Sequence, residues 1–417
     1  MGALALFAAS PQASAVIDAT LQMQLGNPSG ATTDTNNHNH YLIQRTVEAI
    51  DYSDALGEPN WASWDLTAGD VGSATRSTTY YTDTNLPPNF TRVTTAEYNG
   101  VGNIDFNRGH LCPSEDRTDT ASNNKLVFFM SNIMPQSGPN NQGVWENLES
   151  DCRTFASAGN ELLIMCGPSG FGPSTIPSGM AYIGSNVWKI AVIVPTNSGT
   201  ALSRLSVTNR VIAVSIPNVT NGLSSSWQTY VTSAQQIEHD TGFTFFSAVP
   251  ANIAAVFRAK VDGSPVPGIT NVSPASGSVG SSVVIKGTNF TGASVVWFNG
   301  TNAAFTLNSG SQITATVPTG ATTGPVSVIA PGGLAVSAGN FTVTPAGKPG
   351  FQTVSFAGGN VSLTITGAVA TSYTIMAVTN LANTNWVTLL TTNPAALPFT
   401  FVDTNKLPQR FYRINRQ

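Results

Sequence analysis

Four polar residues in two short segments have the types and the spacing that phosphodiester hydrolysis requires. Arg108 and His110 stand two residues apart in the first segment, and Asn141 and Glu149 stand eight residues apart in the second. A neutral histidine accepts a proton from an attacking water. An arginine binds phosphate oxygens through its planar guanidinium. An amide oxygen and a carboxylate suit Mg²⁺, so the four residues predict a metal-assisted hydrolytic site.

The segment around the histidine predicts a β-strand. Ile104 and Phe106 precede Arg108 and His110 at every second position, and this period of two places the arginine and the histidine on one strand face. The apolar run KLVFFM at 125–130 is interpreted as a second strand. The order strand, strand, helix therefore brings polar residues to the points where the elements meet.

A helix is predicted from about Asn141 to Ala156, after a loop rich in Pro, Gly and Asn. At about 100° per residue, Glu149 lies roughly 80° around the axis from Asn141, close to apolar residues that anchor the helix: Trp145, Leu148 and Cys152. Because helical side chains lean towards the N-terminus, we interpret Asn141 as a direct metal ligand and Glu149 as a group that acts through bound water. One neutral oxygen and several waters are typical of Mg²⁺, with Mn²⁺ as an alternative ion.

These segments resemble the DNA/RNA non-specific endonuclease family, which includes secreted sugar-non-specific nucleases and endonuclease G. That family carries a DRGH motif followed by a helix with Asn-Gln, Trp and Leu-Glu, and this chain has RGH at 108–110 and the helix residues at 141–149. Further matches extend over most of 39–260, among them PNWASWDL at 59–66 and VWKIAVIVP at 187–195. The resemblance implies an α+β nuclease domain with a ββα-metal (His-Me finger) core and a mixed β-sheet.

The resemblance also implies roles for individual residues. His110 corresponds to the general base, and Arg108 corresponds to an arginine that binds phosphate. Arg76 resembles a second phosphate-binding arginine, with an exposed salt bridge as the alternative. Asn132 matches an asparagine that supports the site, and Asn141 matches the metal ligand while also suiting a helix cap. The expected activity is Mg²⁺-dependent hydrolysis of DNA and RNA without sequence preference, leaving 5′-phosphates.

One position departs from the family pattern. Asn107 stands where the family usually has Asp. A carboxylate there would favour the imidazolium form of His110, so its loss should make the neutral histidine easier to reach. The same departure leaves open a nuclease fold that has lost catalysis and serves adhesion or nucleic-acid binding. A third interpretation is a phosphodiesterase that acts on a substrate other than nucleic acid.

Three other histidines favour structural roles. His38 and His40 form an HNH triplet before the first strand, where an exposed loop is favoured over a metal site because no third ligand is near in sequence. His239 stands at the end of a helix predicted over 226–240, just before Gly242. A cation there suits the helix dipole.

The three cysteines fit either redox compartment. Cys112 and Cys152 belong to the two segments that the site brings together, so a disulfide between them is expected in an exported protein. Cys166 stands in the apolar run ELLIMCG and is predicted to be a buried free thiol. A zinc site with His110, Cys112 and Cys152 is disfavoured because the spacing matches no standard zinc pattern.

Composition and the first residues favour export. Only 10% of the 417 residues are charged, and Gly, Ser, Thr, Asn and Pro are abundant, which is typical of secreted β-rich proteins. Residues 1–15 end in Ala-Ser-Ala after a short apolar run and resemble the remnant of a signal peptide. The sequence contains no apolar run of the roughly 20 residues that a membrane span needs.

Linkers divide the chain into domains. The endonuclease domain is predicted over 16–262 and is followed by the linker GSPVPG at 263–268. Residues 269–344 resemble the IPT/TIG family, an immunoglobulin-like sandwich whose short alternating strands are also visible directly. After the linker at 345–350, residues 351–417 form a small β-module. We expect these two all-β sandwich-like modules to bind a surface, a polysaccharide or a protein.

Charge is divided unevenly between the two parts of the chain. Residues 263–417 contain six basic residues and one acidic residue, which leaves 12 basic and 21 acidic residues for 1–262, a net charge of −9. Because phosphate binding relies on basic surface, the predicted nuclease domain needs a local positive cleft. We expect its binding of nucleic acid to be weak and sensitive to salt.

Overall fold

The computed structural model describes residues 19–344, 349–367, 372–382, 384–394, 397–407 and 409–416. The chain forms two compact units that divide between Asp262 and Gly263, where the predicted linker begins. The predicted signal-peptide remnant at 1–15 lies outside the described residues, as does most of the second linker.

The first unit is an α+β fold. Its strands are β1 (Tyr41–Gln44), β2 (Ala49–Ser53), β3 (Glu58–Leu66), β4 (Phe106–His110), β5 (Ile133–Ser137), β6 (Asn160–Thr175), β7 (Tyr182–Pro195) and β8 (Arg210–Pro217). Its α-helices are α1 (Ala121–Leu126), α2 (Trp145–Ser157), α3 (Ala234–Thr241) and α4 (Ala251–Ala259). The predicted fold class is confirmed.

Six strands form the main sheet in the order β1-β2-β3-β6-β7-β8, and every neighbouring pair is antiparallel. The expectation of a mixed sheet is therefore wrong in this detail, because β1-β2-β3 and β6-β7-β8 are successive neighbours along the chain. The long apolar runs of β6 and β7 are buried on both faces. One face packs against α2, and the other packs against α3 and α4.

The segment between β3 and β6 carries the second, small sheet. In it β4 pairs with β5 in antiparallel register, and His110 faces Ile133. The predicted strand at 125–130 is wrong: this run covers the end of α1 and the turns after it. Thr120 caps α1 by accepting a hydrogen bond from the amide of Asn123 at 3.1 Å, which starts a helix where apolar content suggested a strand.

The helix predicted from Asn141 is present, but its first turn is wider than an α-turn. Residues Asn140–Val144 form a π-turn, and α2 continues from Trp145 to Ser157. Strand β4 likewise begins at Phe106, since Ile104 belongs to a short 3₁₀ turn.

All three cysteines are buried free thiols. The prediction for Cys166 is confirmed, and the expected disulfide between Cys112 and Cys152 is wrong. The thiols act as small apolar side chains in the core between the main sheet and α2. Cys166 donates a hydrogen bond to the carbonyl of Leu111 at 3.4 Å, and burial raises the pKa of Cys152 to about 12.

The other histidines have structural partners. His38 contacts Asp54 at 2.7 Å and His40 contacts Asp51 at 2.8 Å. Within the described part of the chain, no group of three His, Cys, Asp or Glu residues could hold a metal. His239 lies in the last turn of α3, which begins at Ala234 and is thus shorter than predicted.

The second unit is all β. Its strands pair into a five-stranded and a four-stranded sheet over a shared core, and then into two three-stranded sheets over a smaller one. The first pair comprises β9 (Gly268–Ser273), β10 (Ser276–Gly277), β11 (Ser282–Thr288), β12 (Val295–Phe298), β13 (Thr301–Asn302), β14 (Phe305–Ser309), β15 (Gln312–Thr316), β16 (Gly324–Ala330) and β17 (Gly333–Val343). The second comprises β18 (Gly350–Ala357), β19 (Asn360–Thr366), β20 (Tyr373–Val378), β21 (Val387–Thr392), β22 (Phe399–Asp403) and β23 (Phe411–Arg416). The two predicted sandwich-like modules are present.

Candidate active site

Strand β4 positions His110 in the site through its pairing with β5. Gly109 faces Met134 across the two strands, and a Cβ at Gly109 would lie 2.3 Å from Oε1 of Gln136. Only a glycine allows this approach, so the small residue between Arg108 and His110 leaves room for the Gln136 side chain of β5.

His110 is neutral and has a free ring nitrogen. Its side chain packs edge-on against Phe128 at 4.7 Å and lies 5.5 Å from the ring of Tyr80. Burial, and secondly the charge of Arg76, lower the pKa of His110 to about 3. Its Nε2 atom has no hydrogen-bond partner. A neutral imidazole at a cleft wall is suited to accept a proton.

Two arginines flank this histidine. The guanidinium of Arg76 lies 5.3 Å from the ring of Phe128, and that of Arg108 lies 5.3 Å from the ring of Tyr80. Arg108 also donates from Nη2 to the carbonyl of Thr95 at 3.3 Å, while its Nε is unpartnered. Aromatic contacts orient both guanidinium groups without neutralising their charge.

A buried asparagine anchors the start of the site helix. Asn140 is fully buried. Its Oδ1 accepts from Nε2 of Gln136 at 2.9 Å, and its Nδ2 donates to the carbonyl of Pro217 at 3.0 Å. The next residue, Asn141, lines the cleft. The π-turn is thus tied to β5 and β8, which fixes where Asn141 enters the site; wide turns of this kind are frequent at functional sites.

Glu149 lies two turns further along the helix. Its Oε1 is 3.4 Å from Nζ of Lys189, and the side chain is 13% exposed. Burial raises the pKa of Glu149 to about 7, and the ammonium of Lys189 opposes that rise. One turn later, Arg153 binds Glu115 at 2.7 Å and Asp116 at 3.1 Å. The helix therefore presents a carboxylate that titrates near neutral pH.

These side chains line one cleft of about 570 Å³. Five of the six predicted site residues belong to its wall: Arg76, Arg108, His110, Asn141 and Glu149. The sixth, Asn132, is fully buried behind it. Asn132 accepts from the amide of Cys112 at 3.0 Å and donates to the carbonyls of Cys112 and Val127, each at 2.9 Å. It therefore holds the chain just after the histidine instead of facing substrate.

Comparisons with known proteins agree with this geometry. A family model described as DNA/RNA non-specific endonuclease matches residues 26–252, which is more than half of the chain. The chain belongs to this family. Its members hydrolyse nucleic acids as endonucleases that depend on a divalent metal. A second model, IPT/TIG domain, matches residues 267–345.

Individual proteins that resemble this chain include named nucleases. A nuclease from Nostoc sp. is 37% identical over 58% of this chain and 86% of its own length. Human mitochondrial nuclease EXOG is 27% identical over 48% of this chain and 55% of its own length, so the chain spans about half of that relative. A chain in a crystal structure of the EndoG/EndoGI complex aligns with a TM-score of 0.47 and 17% identity over 56% of this chain and 93% of that one.

The cleft of this non-specific endonuclease fits a hard divalent cation. Asn141 and Glu149 offer an amide oxygen and a carboxylate at the same wall, and oxygen ligands with room for waters suit Mg²⁺ or Mn²⁺. Glu149 is desolvated enough that its pKa rises, so a cation beside it would stabilise the ionised form. Histidine and cysteine ligands typical of zinc are not clustered in the described residues.

Asn107, the departure from the family pattern, also lines the cleft of this endonuclease. Its Nδ2 atom is buried and lacks a hydrogen-bond partner. The strand pairing at this position, opposite Gln136, is intact. The substitution has therefore left the β4–β5 pair in place.

Sequence reasoning missed several residues that shape the site. Tyr80 and Phe128 enclose His110, and Asn140 and Lys189 support the helix. Arg153 follows Glu149 by four residues, and this spacing places both side chains on one side of the helix. Arg153 could therefore have been predicted from the sequence. The aromatic pair had no such signal, because its members come from separate turns.

Proposed function

We propose that this family member is an exported, Mg²⁺-dependent endonuclease that hydrolyses DNA and RNA without sequence preference and leaves 5′-phosphates. The observation that carries the proposal is the neutral His110, whose side chain lines one cleft with two arginines and the oxygen ligands of the site helix. Such a cleft contains a base, phosphate-binding cations and a place for a metal.

In the proposed reaction, the neutral imidazole of His110 accepts a proton from a water that attacks phosphorus. The bond from phosphorus to the 3′-oxygen breaks, the 3′-oxygen leaves as a hydroxyl after taking a proton from solvent, and the phosphate stays on the 5′-oxygen of the other fragment. Arg76 and Arg108 bind non-bridging oxygens, where their charge opposes the charge that develops. When bound, the divalent ion supplies Lewis-acid stabilisation of the phosphate and the leaving oxygen.

Lack of sequence preference follows from what the cleft wall presents. Arginine contacts to phosphate position the substrate and carry no sequence information. The reacting groups address the phosphodiester, which DNA and RNA share. Because the first unit carries a net charge of −9, we expect binding to depend on these few local charges and to weaken steeply as salt increases.

Export and the role of the second unit belong to the same proposal. The signal-peptide-like segment at 1–15 and the low charged content support export. The IPT/TIG domain and the C-terminal module would then bind a surface, a polysaccharide or a protein outside the cell. In the described residues, no helix is long and apolar enough to cross a membrane.

Digestion of a supercoiled plasmid and of a structured RNA tests the proposal. We expect both to be cut with Mg²⁺ or Mn²⁺, and excess EDTA to stop the reaction. The ends should be substrates for ligation without prior phosphorylation, which reports 5′-phosphate. His110→Ala is the matched control. A wild-type protein no more active than this variant would favour the alternative, a nuclease fold that binds nucleic acid without cutting it.

A further inference from the structure

A buried lysine stands directly beneath the site helix. Lys189 lies on β7, between Cys166 of β6 and Val214 of β8 in the register of the main sheet. Its side chain is 2% exposed. Lysine is rarely buried in this way unless its charge is paired, so the surroundings of the ammonium group indicate its role.

Aromatic rings and one carboxylate surround this ammonium. Nζ lies 4.3 Å from the ring of Trp145 and 5.5 Å from the ring of Trp64. Its hydrogen bond goes to Oε1 of Glu149 at 3.4 Å. Trp145 belongs to α2 and Trp64 to β3. The rings therefore enclose the ammonium between the sheet and the helix and leave the carboxylate as its acceptor.

We infer that Lys189 is a positioning residue for the nuclease reaction: its ammonium group holds Oε1 of Glu149 against the main sheet, so that the second carboxylate oxygen serves the cleft. This inference rests on the proposed role of Glu149. It adds a residue that touches neither substrate nor metal. Lys189 acts through Glu149 alone, because its ammonium is closed off from the cleft by burial.

The electrostatics agree with this assignment. Burial alone would lower the pKa of Lys189, yet its carboxylate neighbour raises the pKa above the usual value, so the lysine stays charged. Other groups also face the pair: Cys152 and Arg153 from α2, Cys166 from β6, and Asp116 from the preceding segment. Arg153 is held by Glu115 and Asp116, which leaves Lys189 as the cation bonded to Glu149.

Neutral replacements of Lys189 in the full-length protein test the inference. Lys189→Met removes both charge and donor, Lys189→Gln keeps a donor, and Lys189→Arg keeps the charge. In the two neutral variants we expect kcat to fall by about 10–100-fold with little change in KM for the duplex, because the carboxylate loses its positioning donor while the phosphate-binding arginines are untouched. The arginine variant should keep most of the wild-type kcat, because it keeps a charged donor.

Binding of Mg²⁺ alone, measured by calorimetry near neutral pH, provides a readout that does not depend on turnover. We expect the neutral variants to bind the ion about tenfold more weakly or worse. Lys260→Met is the control. That lysine donates to the carbonyl of Val207 at 2.8 Å, and away from the site it should alter neither kcat nor the binding of Mg²⁺.

The outcomes separate two kinds of failure. If Glu149→Gln has wild-type activity and Mg²⁺ affinity, the role of Glu149 in the proposed function fails, whatever Lys189 does. If Glu149→Gln is impaired but Lys189→Met and Lys189→Gln keep the wild-type kcat and Mg²⁺ affinity, the inference about Lys189 is overturned. A loss of kcat with unchanged Mg²⁺ affinity also overturns it. Should the methionine variant not fold, the glutamine variant decides.

Discussion

Replacing Glu149 by Gln should change the shape of the pH–rate profile as well as the rate. Burial raises the pKa of Glu149 to about 7 and lowers the pKa of His110 to about 3. At pH 5, roughly 1% of Glu149 is then ionised, whereas roughly 99% of His110 remains the neutral base. The acid limb of the nuclease should therefore belong to the glutamate and not to the histidine.

The sign of the effect follows from which form is active. Because the ionised carboxylate is needed, the wild-type rate should rise with pH and level off above about pH 7, losing roughly tenfold per unit below it. In Glu149→Gln no group titrates in that range, so the profile should be lower but level from pH 8 to pH 5. It should decline only near pH 3–4, where His110 gains its proton.

The assay is kcat/KM on a defined duplex at limiting Mg²⁺, because kcat/KM reports ionisation of the free enzyme. Circular dichroism across the same pH range controls for unfolding. If Glu149→Gln retained the wild-type acid limb, another group would set it, and the assignment of pKa values to the two residues would be wrong. A level profile reaching pH 5 would agree with the structure.

Three further changes test neighbouring parts of the site, and one tests the division of the chain. His110→Ala should lower kcat by about 10²–10⁴-fold with little change in melting temperature, since the base is lost but the β4–β5 pairing remains; near wild-type turnover would refute its role. Asn141→Ala should raise the Mg²⁺ concentration for half-maximal rate more than Glu149→Gln does, and the reverse ranking would exchange their roles as direct and water-mediated ligands. Asn107→Asp in the otherwise wild-type protein should raise the pKa of His110 by about 1–3 units. The acid limb of the pH–rate profile should nevertheless stay in place, because it belongs to Glu149, and a shift of that limb would contradict this. Deleting 263–417 should leave an active nuclease, because the cleft lies wholly in the first unit, and a folded but inactive fragment would argue against it.

The strand with Arg108 and His110 and the helix with Asn141 and Glu149 could be predicted because their signals are local. Alternation and helical spacing are properties of neighbouring residues. The run at 125–130 was misread because apolar content does not separate a strand from a capped helix followed by buried turns. Asn107, by contrast, was visible from the sequence as a departure from the family pattern, and the structure shows that the pairing of β4 with β5 is intact at that position.

The parts of the site that could not be predicted depend on contacts between distant segments. The low pKa of His110 arises from Tyr80 and Phe128 closing over it, and neither ring is next to it in sequence. The pairing of Lys189 with Glu149 joins a sheet strand to a helix 40 residues away. The disulfide was expected from proximity alone, whereas the core had room for thiols as apolar side chains.

The catalytic segment between β3 and β6 contributes no strand to the main sheet. The chain leaves the sheet after Leu66 and returns at Asn160, and Leu66 pairs directly with Leu162. The two ends of the catalytic segment are thus neighbours in the sheet. The entropic cost of closing this segment is therefore little more than that of any other long loop. Changes between β3 and β6 can accordingly alter the chemistry of the site while the order of the strands in the main sheet stays the same.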